Sequence, residues 1–444
     1  MRLRHLLQVA PSPTEVRHLP DDLEVTFAPM EALSDGLGGL DASRSRPLSE
    51  VAKGSYNYFA DGDVLLAKVT PCFENGKKAV ATGLANGIGF ATSEVHVLRP
   101  DPERIDRSYL RYLLSSEPFR AAGMRSMTGA GGLRRVSEAA IKDFVLPTAD
   151  LDTQKAIADV LDKETARIDQ LIEKKQRLVE LLGEREARAI NDLLLGRFVN
   201  QGQTVPSGCK FLGKLPLSWK AVRLRALVSH LGNGFVGPTR DILVDPDHSD
   251  RVPYLQSTHI KWQQIDFERK PYFVTKSWLG SKPKARVEKD DLLIVQTGDC
   301  GATSIVDDQF AGSGCHALVV ARPIKRAVEP RLLLRFLASQ IGRAKLKAIE
   351  TGALHPHLEV GFLRDVLVPL PPRDHQAALV ERIDKEIDAS RSVSEVTTIS
   401  IDRLKEYRSA LITAAVTGQI DVTRWGQTGE GDKRLDQIQE EMAG

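Results

Sequence analysis

The chain contains 444 residues, which is too long for one ordinary hydrophobic core and predicts about two to four domains. Its composition, with 42% hydrophobic and 27% charged residues, excludes a disordered chain, and no apolar run is long enough to span a bilayer. The net charge is only +2, but residues 201–372 contain 24 basic and 16 acidic residues, whereas the other segments are neutral or acidic. This asymmetry favours a nucleic-acid partner for that segment.

The N-terminus and the cysteines predict a reduced, cytoplasmic protein without membrane attachment. No apolar signal region precedes Pro11 and Pro13, so we do not expect export. The cysteines are too few and too scattered for a disulfide framework; they are Cys72, Cys209, Cys300 and Cys315.

The sequence is a tandem repeat whose period is about half the length of the chain. The recurring segments are Arg2–Leu7 at 223–228, Asp63–Leu66 at 291–294, Tyr109–Ser115 at 333–339, Thr128–Ala130 at 351–353 and Ile141–Pro147 at 363–369. One constant offset then relates Gln154 to Gln376 and Gly196 to Gly418 without a gap. A period this long predicts two whole domains, each followed by the same helical element.

Both domains are predicted to be mixed α+β. Runs of β-branched and apolar residues predict strands at Val64–Val69, Glu94–Leu98, Leu292–Val295 and Ala317–Val320. Short helices are expected at 107–116 and 330–346, and glycine-rich turns separate the elements.

A long helix is predicted after each domain, at residues 151–195 and at about 374–417. Apolar residues recur at alternating steps of three and four, the spacing of a coiled coil. The predicted pairing residues are Ile157, Leu161, Ile168, Leu171, Leu178 and Leu182 in the first helix, and Leu379, Ile383, Ile387, Val393, Leu404 and Leu411 in the second. Each helix is about 67 Å long at 1.5 Å per residue, and neither can bury its apolar stripe alone. We therefore expect an antiparallel coiled coil; the alternative is that each helix packs on its own domain.

Catalytic and cofactor motifs are not supported by the sequence. The segment Phe310-Ala-Gly-Ser-Gly314 is similar to a glycine loop that binds S-adenosylmethionine, but the Asn/Asp-Pro-Pro-aromatic loop of a DNA methyltransferase is absent. The repeat aligns it with Phe90-Ala-Thr-Ser-Glu94, which lacks the glycines and favours a strand-joining turn. No Gly-x4-Gly-Lys-Ser/Thr loop and no metal-ligand spacing of Cys and His occurs. We predict no catalytic residue, no metal and no cofactor.

Polar loops at matched positions of the two copies are the candidates for binding. Asn can pair with adenine through two hydrogen bonds, and Lys and Arg contact phosphates, so these residue types suit DNA. The candidate DNA-binding residues are Thr70, Phe73, Asn75, Lys77, Lys78, Arg134 and Arg135 in the first copy, and Gln256, His259, Lys261, Gln296, Thr297, His355 and His357 in the second.

The chain resembles the specificity subunit of type I restriction–modification systems over nearly its whole length. The resemblance rests on Lys68–Lys77, on the helix entries at 145–154 and 368–376, on the helix exits at 189–196 and 411–418, and on Phe211–Trp219. It implies two tandem target recognition domains that read the halves of a bipartite DNA site, separated by antiparallel helices. The implied boundaries are 1–146 and 201–372 for the recognition domains, 147–200 and 373–421 for the spacer helices, and 422–444 for a polar tail.

The resemblance implies a non-catalytic subunit that binds double-stranded DNA. Its partners would be DNA methyltransferase (modification) subunits, with room for an ATP-dependent motor-nuclease subunit. Two alternatives remain open: a fused or degenerate S-adenosylmethionine-dependent DNA methyltransferase that uses Phe310–Gly314, and a purely structural coiled-coil scaffold.

Overall fold

The computed structural model describes residues 1–35, 39–130, 132–147, 149–198, 203–352 and 356–421. The chain forms two compact units, which we call unit 1 (Met1–Leu178 with Val396–Gly444) and unit 2 (Val179–Glu395). The predicted polar tail at 422–444 lies outside the described residues, as does His355.

The first copy of the repeat contains two small sheets and four short α-helices among its described residues. Its elements are β1 (Leu7–Val9), β2 (Glu24–Ala28), β3 (Ser45–Pro47), α1 (Leu48–Val51), β4 (Asn57–Ala60), β5 (Val64–Ala67), β6 (Lys78–Val80), β7 (Ile88–Ala91), β8 (Val95–Pro100), α2 (Arg107–Leu113), α3 (Glu117–Arg125) and α4 (Glu138–Lys142). Short 3-10 helices lie at Leu3–His5, Pro13–Val16, Met30–Ala32 and Ala85–Gly87. The long helix α5 (Leu151–Leu194) follows.

The second copy contains additional short strands. Its elements are β9 (Thr204–Pro206), β10 (Lys214–Pro216), β11 (Lys220–Arg223), β12 (Val228–Asn233), β13 (Arg251–Leu255), β14 (Ile260–Lys261), β15 (Gln264–Ile265), β16 (Phe273–Thr275), α6 (Lys276–Gly280), β17 (Leu292–Val295), β18 (Thr303–Ile305), β19 (Gly314–Cys315), β20 (Leu318–Pro323), α7 (Pro330–Ala338), α8 (Gln340–Lys347), β21 (Glu350–Thr351), β22 (His357–Leu358), α9 (Val360–Leu363) and β23 (Leu367–Leu370). Short 3-10 helices lie at Leu224–Ala226, Ser257–His259 and Pro283–Ala285. The second long helix is α10 (Arg373–Val416).

The two copies share one sheet topology. The strand order β1-β8-β5-β6 in the first copy recurs as β12-β20-β17-β18 in the second, and all these pairs are antiparallel. A second sheet in each copy contains one parallel pair, β2 with β7 and β13 with β19. The sequence repeat is therefore a repeat of whole domains.

A buried glutamine fastens each long helix to its domain at the same position of the repeat. Gln154 accepts a hydrogen bond from the Asp106 backbone N–H at 2.9 Å and donates to two carbonyl oxygens. Gln376, its equivalent in the second copy, accepts from the Glu329 N–H at 2.7 Å and likewise donates to two carbonyl oxygens. Both amides are almost fully buried, so each satisfies backbone groups that the helix entry would otherwise leave unpaired.

The long helices contribute to both units. In unit 1, the first part of α5 and the last part of α10 share a hydrophobic core, whose helix residues include Ile157, Leu161, Ile168, Ile172, Ile401, Leu404, Leu411 and Ile412. In unit 2, the remaining parts share another core, which includes Leu193, Leu194, Leu379, Ile383 and Ile387. Within each unit the beginning of one long helix thus packs with the end of the other, the arrangement that an antiparallel pair requires.

The residues that face the partner helix differ from the sequence prediction in the middle of each helix. Leu178 is 43% exposed and Val393 is 47% exposed, and Leu171 and Leu182 are only partly buried. Thr165 and Ile172 in α5, and Ser390 and Thr397 in α10, are buried instead. The Thr165 hydroxyl donates to the Leu161 carbonyl oxygen at 2.6 Å, which satisfies this buried polar group.

One predicted helix is two helices. Residues 330–346 divide into α7 and α8 at Ser339, whose backbone is extended. The Ser339 hydroxyl accepts a hydrogen bond from the Gly342 N–H at 3.1 Å and caps α8. Gly342 is required there, because a Cβ atom would lie 2.0 Å from the Phe336 carbonyl oxygen.

Candidate nucleic-acid interface

Two loops of the first copy are joined at one end of the sheet. The loop after β5 begins with a cis Thr70–Pro71 peptide bond. The Thr70 hydroxyl donates to the Gly132 carbonyl oxygen at 2.8 Å and accepts from the Arg134 N–H at 3.0 Å. Val69 and Arg135 also form an isolated β-bridge. Thr70, which is itself buried, therefore joins the loop at 70–77 and the segment at 132–135 into one surface.

The second copy joins the corresponding loops in the same way. Thr297, just after β17, forms a β-bridge with His357, and its hydroxyl lies 2.9 Å from His357 Nδ1. Gln296 Nε2 donates to the Leu358 carbonyl oxygen at 3.0 Å. In the first copy Arg135 forms a β-bridge with Thr128, and in the second copy His357 pairs with Thr351 in the same way. The same two loops are therefore joined in both copies.

The exposed candidates of the first copy differ in how far their charges are compensated. Asn75 is exposed, and Arg134 is 54% exposed with its nearest carboxylate, Glu74, at 3.8 Å. Arg135 donates two hydrogen bonds to Glu94 at 2.8 and 2.9 Å, and this hydrogen bonding lowers the pKa of the Glu94 carboxyl group. Lys77 donates to the Leu33 carbonyl oxygen at 3.1 Å. Asn75 and Arg134 are therefore the most available for a ligand.

Four further sequence candidates lie in the interior, so we do not propose that they contact DNA bases. Phe73 packs with Phe119 in the core, and Lys78 is 2% exposed because it belongs to β6 and pairs with Leu66. Gln296 is buried through its bonds to Leu358. His259, also buried, lies between Phe267 and Tyr272.

The ring nitrogens of His259 explain its burial. Its Nδ1 accepts from the Gln256 N–H at 3.0 Å, and its Nε2 lies 2.8 Å from the Lys270 carbonyl oxygen. Burial lowers the pKa of this histidine, which keeps the neutral form. Gln256 and Lys261 are half-buried at the same turn, beside β18, where Ser304 donates to the Lys261 carbonyl oxygen at 2.6 Å.

Trp262 and Arg343 are further candidate residues that only the structure reveals. The Arg343 guanidinium lies 3.9 Å from the centroid of the Trp262 ring, and both residues line a cavity of about 430 Å³ together with Asp299 and Pro356. A cation over an aromatic ring beside a loop suits a nucleobase or a phosphate. Trp262 directly follows the candidate Lys261, which was the available signal for it, whereas no sequence pattern indicated Arg343.

The cysteines and histidines do not form a reactive centre in the described residues. No group of three His, Cys, Asp or Glu side chains that could hold a metal ion occurs in these ranges. Burial raises the pKa of the Cys300 thiol to about 11 and that of Cys315 to about 12. Both thiols are protonated at neutral pH and are poor nucleophiles.

The glycine loop Phe310–Gly314 is a packing feature. Phe310 is buried in a hydrophobic core, and Gly314 lies in β19 opposite Tyr254, whose ring a Cβ atom would meet at 2.8 Å. The alignment with Phe90–Glu94 is shifted, because Phe90 itself lies in the parallel strand β7 whereas Phe310 precedes β19.

Comparison with known proteins supports a DNA-reading role for relatives of this chain. The family model for the type I restriction modification DNA specificity domain matches residues 241–395. The type I restriction enzyme EcoAI specificity subunit of Escherichia coli is 37% identical over 169 residues, which are 36% of this chain and 28% of that protein. The EcoEI specificity subunit of the same organism is 33% identical over 184 residues, 40% of this chain and 31% of that protein. The chain thus matches less than a third of the length of either relative.

Solved structures match over a larger part of the chain. A chain from a structural study of complex assembly and conformational transition of the type I R-M system has a TM-score of 0.69 at 17% identity, covering 95% of this chain and 97% of that one. The HsdS subunit from Thermoanaerobacter tengcongensis has a TM-score of 0.54, also at 17% identity, covering 95% and 96%. The predicted fold class is confirmed, and nothing in the comparisons supports a methyltransferase. Among the described residues, no helix is long and apolar enough to cross a membrane.

Proposed function

On the premise that residues 241–395 belong to the family of type I restriction modification DNA specificity domains, we propose that this chain is the subunit that reads a bipartite DNA target. The observation that carries the proposal is the repeated interface: each copy of the domain joins the same two polar loops at the same end of the same sheet. One domain covers only a few base pairs, and each correct pair adds about 1–3 kcal/mol of discrimination, so two domains on one chain combine their specificity.

We propose residues 1–146 and 201–372 as the two recognition domains, with 147–200 and 373–421 as the helices between them. The contacts of the first domain are Asn75 for a base, and Lys77, Arg134 and Arg135 for phosphates. Those of the second are Thr297, His357 and Lys261, with Trp262 and Arg343 added from the structure. This assignment is supported by the exposure of Asn75, Arg134, Thr297 and Arg343, and by the β-bridges that place Arg135, Thr297 and His357 on the joined loops.

The proposal extends to partners and location. We propose DNA methyltransferase subunits as partners, with an ATP-dependent motor-nuclease subunit joining them, because this chain lacks catalytic motifs of its own and its relatives are named as specificity subunits. A cytoplasmic location is supported by four cysteines that are all free thiols.

A selection from random double-stranded DNA tests the function. We expect the purified full chain, with or without modification subunits, to enrich two short sequence blocks at a fixed spacing, because the two domains belong to one chain. The measurement is sequencing of bound duplexes after several rounds at physiological salt. Enrichment of no sequence, or of one uninterrupted block, would contradict the proposal.

Substitutions on the first domain separate base reading from phosphate contact. Asn75→Ala is expected to relax the preference at one position of one block, with about 1–3 kcal/mol less discrimination there. Arg134→Gln is expected to weaken binding to all duplexes and to reduce the slope of log K against log salt by about one. Titrations of cognate and random duplexes at several salt concentrations distinguish the two effects. An equal loss on both duplexes for Asn75→Ala refutes base reading by this residue.

A further inference from the structure

A cavity rich in cations lies within unit 1, where the first domain meets the end of α10. Its volume is about 660 Å³, and its lining includes Asn75, Lys78, Ser115, Arg120, Lys405 and Arg408. Asp35 also lines it, but this carboxylate is 64% exposed and faces Lys77 at 3.9 Å. Four positive side chains thus converge on one concave surface, with amide and hydroxyl groups between them.

The positive charge at the cavity is only partly compensated. Arg408 pairs with Asp169, and Lys405 lies 3.3 Å from Asp402. Arg120, in contrast, forms no ion pair with any described residue: its Nη2 donates to the Glu74 carbonyl oxygen at 2.6 Å, and its buried Nε has no hydrogen-bond partner. A buried guanidinium N–H without an acceptor is costly unless a ligand supplies one.

Lys78 is the most deeply placed of the four cations. Its Nζ donates to the Gly76 carbonyl oxygen at 3.1 Å, and the side chain is almost completely buried. Burial, and then the nearby positive charges of Arg120, Arg111 and Arg408, lower the pKa of this lysine to about 7. An anion in the cavity would oppose both causes of this shift.

The second copy shows that the fold does not require three of these four cations, whereas the fourth, Arg120, is matched by Arg343. In the first copy Lys78 of β6 pairs with Leu66, and at the equivalent position of the second copy Thr303 of β18 pairs with Ile294. A neutral residue therefore replaces the lysine. The two long helices correspond through the offset that relates Gln154 to Gln376, which aligns Lys405 with Gly183 and Arg408 with Glu186. The same architecture therefore forms with one neutral residue, one glycine and one carboxylate at these positions.

We propose that this cavity is a binding site for a phosphate-class oxyanion, held by Arg120 and Lys78. A guanidinium and an ammonium group are the side chains that bind such anions in proteins. The anion is either a phosphate of the DNA backbone or a free phosphate, and both present the same tetrahedral oxygens. The site is independent of the proposed function when the ligand is free phosphate, and rests on it when the ligand is DNA.

Binding is expected to depend on pH through Lys78. A bound anion favours the charged lysine, so affinity is highest below pH 7 and falls as the pH rises above about 7. Sulfate is the probe for this measurement because it stays dianionic across the range. Among the described residues, the charges that act on Lys78 are those of Arg111 in α2, Arg120 in α3 and Arg408 in α10, and Asp162 and Asp169 of α5 pair with two of them. Lys405 and Asp35 line the same cavity.

Calorimetric titration of the full chain with inorganic phosphate at constant ionic strength tests the proposal. We expect binding that Arg120→Gln weakens at least tenfold and that Lys78→Thr, which installs the residue of the second copy, also weakens. The melting temperature of Lys78→Thr is measured in parallel, and a value close to that of the unchanged chain shows that weaker binding does not come from misfolding. Arg125→Gln, exposed on the same helix α3, is the matched control and should bind phosphate as the unchanged chain does. Absence of binding at millimolar phosphate, or binding that neither change weakens, overturns the proposal.

A DNA titration identifies the source of the anion. If Arg120→Gln lowers the salt slope on all duplexes by about one unit and phosphate competes with DNA, the ligand is a backbone phosphate. If DNA binding is unchanged while phosphate binding is lost, the ligand is free phosphate. A chain that binds phosphate but no DNA refutes the proposed function and leaves the anion site standing.

Discussion

A fragment of residues 1–200 is expected to form a two-fold homodimer that reads a palindromic DNA site. The fragment retains the first domain and α5 but loses the last part of α10, so the core that contains Ile157, Leu161 and Ile168 loses the apolar side chains of Ile401, Leu404, Leu411 and Ile412. Exposing each such side chain costs about 1.5–3 kcal/mol, which a second copy of the fragment can recover. Two identical domains related by a two-fold axis would read two copies of the same half-site in opposite orientations, which together form a palindrome.

The repeat indicates that a second copy of α5 can supply the apolar contacts that α10 makes in the full chain. The offset between Gln154 and Gln376 also relates the buried residues of α10 to residues of α5 itself. These equivalences are Ile401 with Val179, Leu404 with Leu182, Ile412 with Ile190 and Ala415 with Leu193. A second α5 thus offers an apolar residue at each of these positions of α10.

The charged positions, however, oppose the homodimer. Asp169 pairs with Arg408 in unit 1, and the offset relates Arg408 to Glu186. In the fragment dimer, Asp169 of one copy would face Glu186 of the other, twice, because of the two-fold axis. The equivalent of Asp169 in α10 is Arg391, so the two helices have opposite charges at matched positions. Such an arrangement favours the intramolecular pair over pairing between copies.

Charge reversal tests this arrangement directly. Glu186→Arg or Asp169→Arg alone should convert two repulsions into two attractions and tighten the fragment dimer at least tenfold, because a change of about 0.7 kcal/mol in each of two partly exposed pairs already amounts to about 1.4 kcal/mol. The double change restores like charges and should return the affinity to that of the unchanged fragment. Sedimentation equilibrium gives the dissociation constants. Ile168→Lys should abolish the dimer, and Leu178→Lys, at an exposed position, is its control. A well-folded monomer at micromolar concentration would disprove helix pairing.

The long helices could be predicted from the sequence almost to the residue. Their predicted bounds, 151–195 and about 374–417, compare with Leu151–Leu194 and Arg373–Val416. The reason is local: apolar periodicity marks the helix, and a glycine with positive φ, Gly196 or Gly418, follows its end. The strands at 64–67 and 292–295 were equally clear, because both are continuous apolar runs.

The buried stripe of the long helices could not be predicted completely, because small polar residues belong to it. A sequence pattern selects apolar residues, so it chose Leu171 and Leu178, whereas Thr165 and Ile172 are more deeply buried. Thr165 is tolerated because its hydroxyl bonds to the Leu161 carbonyl oxygen one turn earlier and lies 3.1 Å from Tyr112 Oη. The sequence alone does not show which buried polar side chains find such hydrogen-bond partners, because this depends on how the helix packs.

The candidate interface was predicted at the level of loops and less well at the level of side chains. The sequence identified both joined loops because they recur, yet Phe73, Lys78 and His259 are buried. From sequence alone, a polar or aromatic residue near a turn is predicted to be exposed. Lys78 is buried because it belongs to the strand that follows the turn. Its counterpart Thr303 was the available signal, since a neutral residue at the same repeat position argues against a phosphate contact shared by the two copies.

A buried ion pair recurs in both copies and stabilises the equivalent sheets. Asp63 is 2% exposed and receives two hydrogen bonds from Arg99, each at 2.8 Å. Asp291, at 1% exposure, receives two from Arg322 at 2.9 and 2.8 Å. Each carboxylate also accepts a backbone N–H three residues earlier, at 2.8 Å. In each copy the pair joins the end of one strand to the neighbouring strand, β5 to β8 and β17 to β20.

Removing either arginine is expected to destabilise its own unit by about 3 kcal/mol, because a buried carboxylate loses its partner. Arg99→Met should accelerate amide hydrogen exchange in β5 and β8, and Arg322→Met should do so in β17 and β20, with the other unit unchanged in each case. Arg135→Met, which removes an exposed partner of Glu94, is the control and should leave the melting temperature nearly unchanged. Adding Asp63→Leu to Arg99→Met should recover most of the lost stability, because no unpaired charge then remains buried. If Arg99→Met alone leaves exchange in β5 and β8 unchanged, the pair does not stabilise the sheet, and its recurrence reflects the repeat rather than a requirement of the fold.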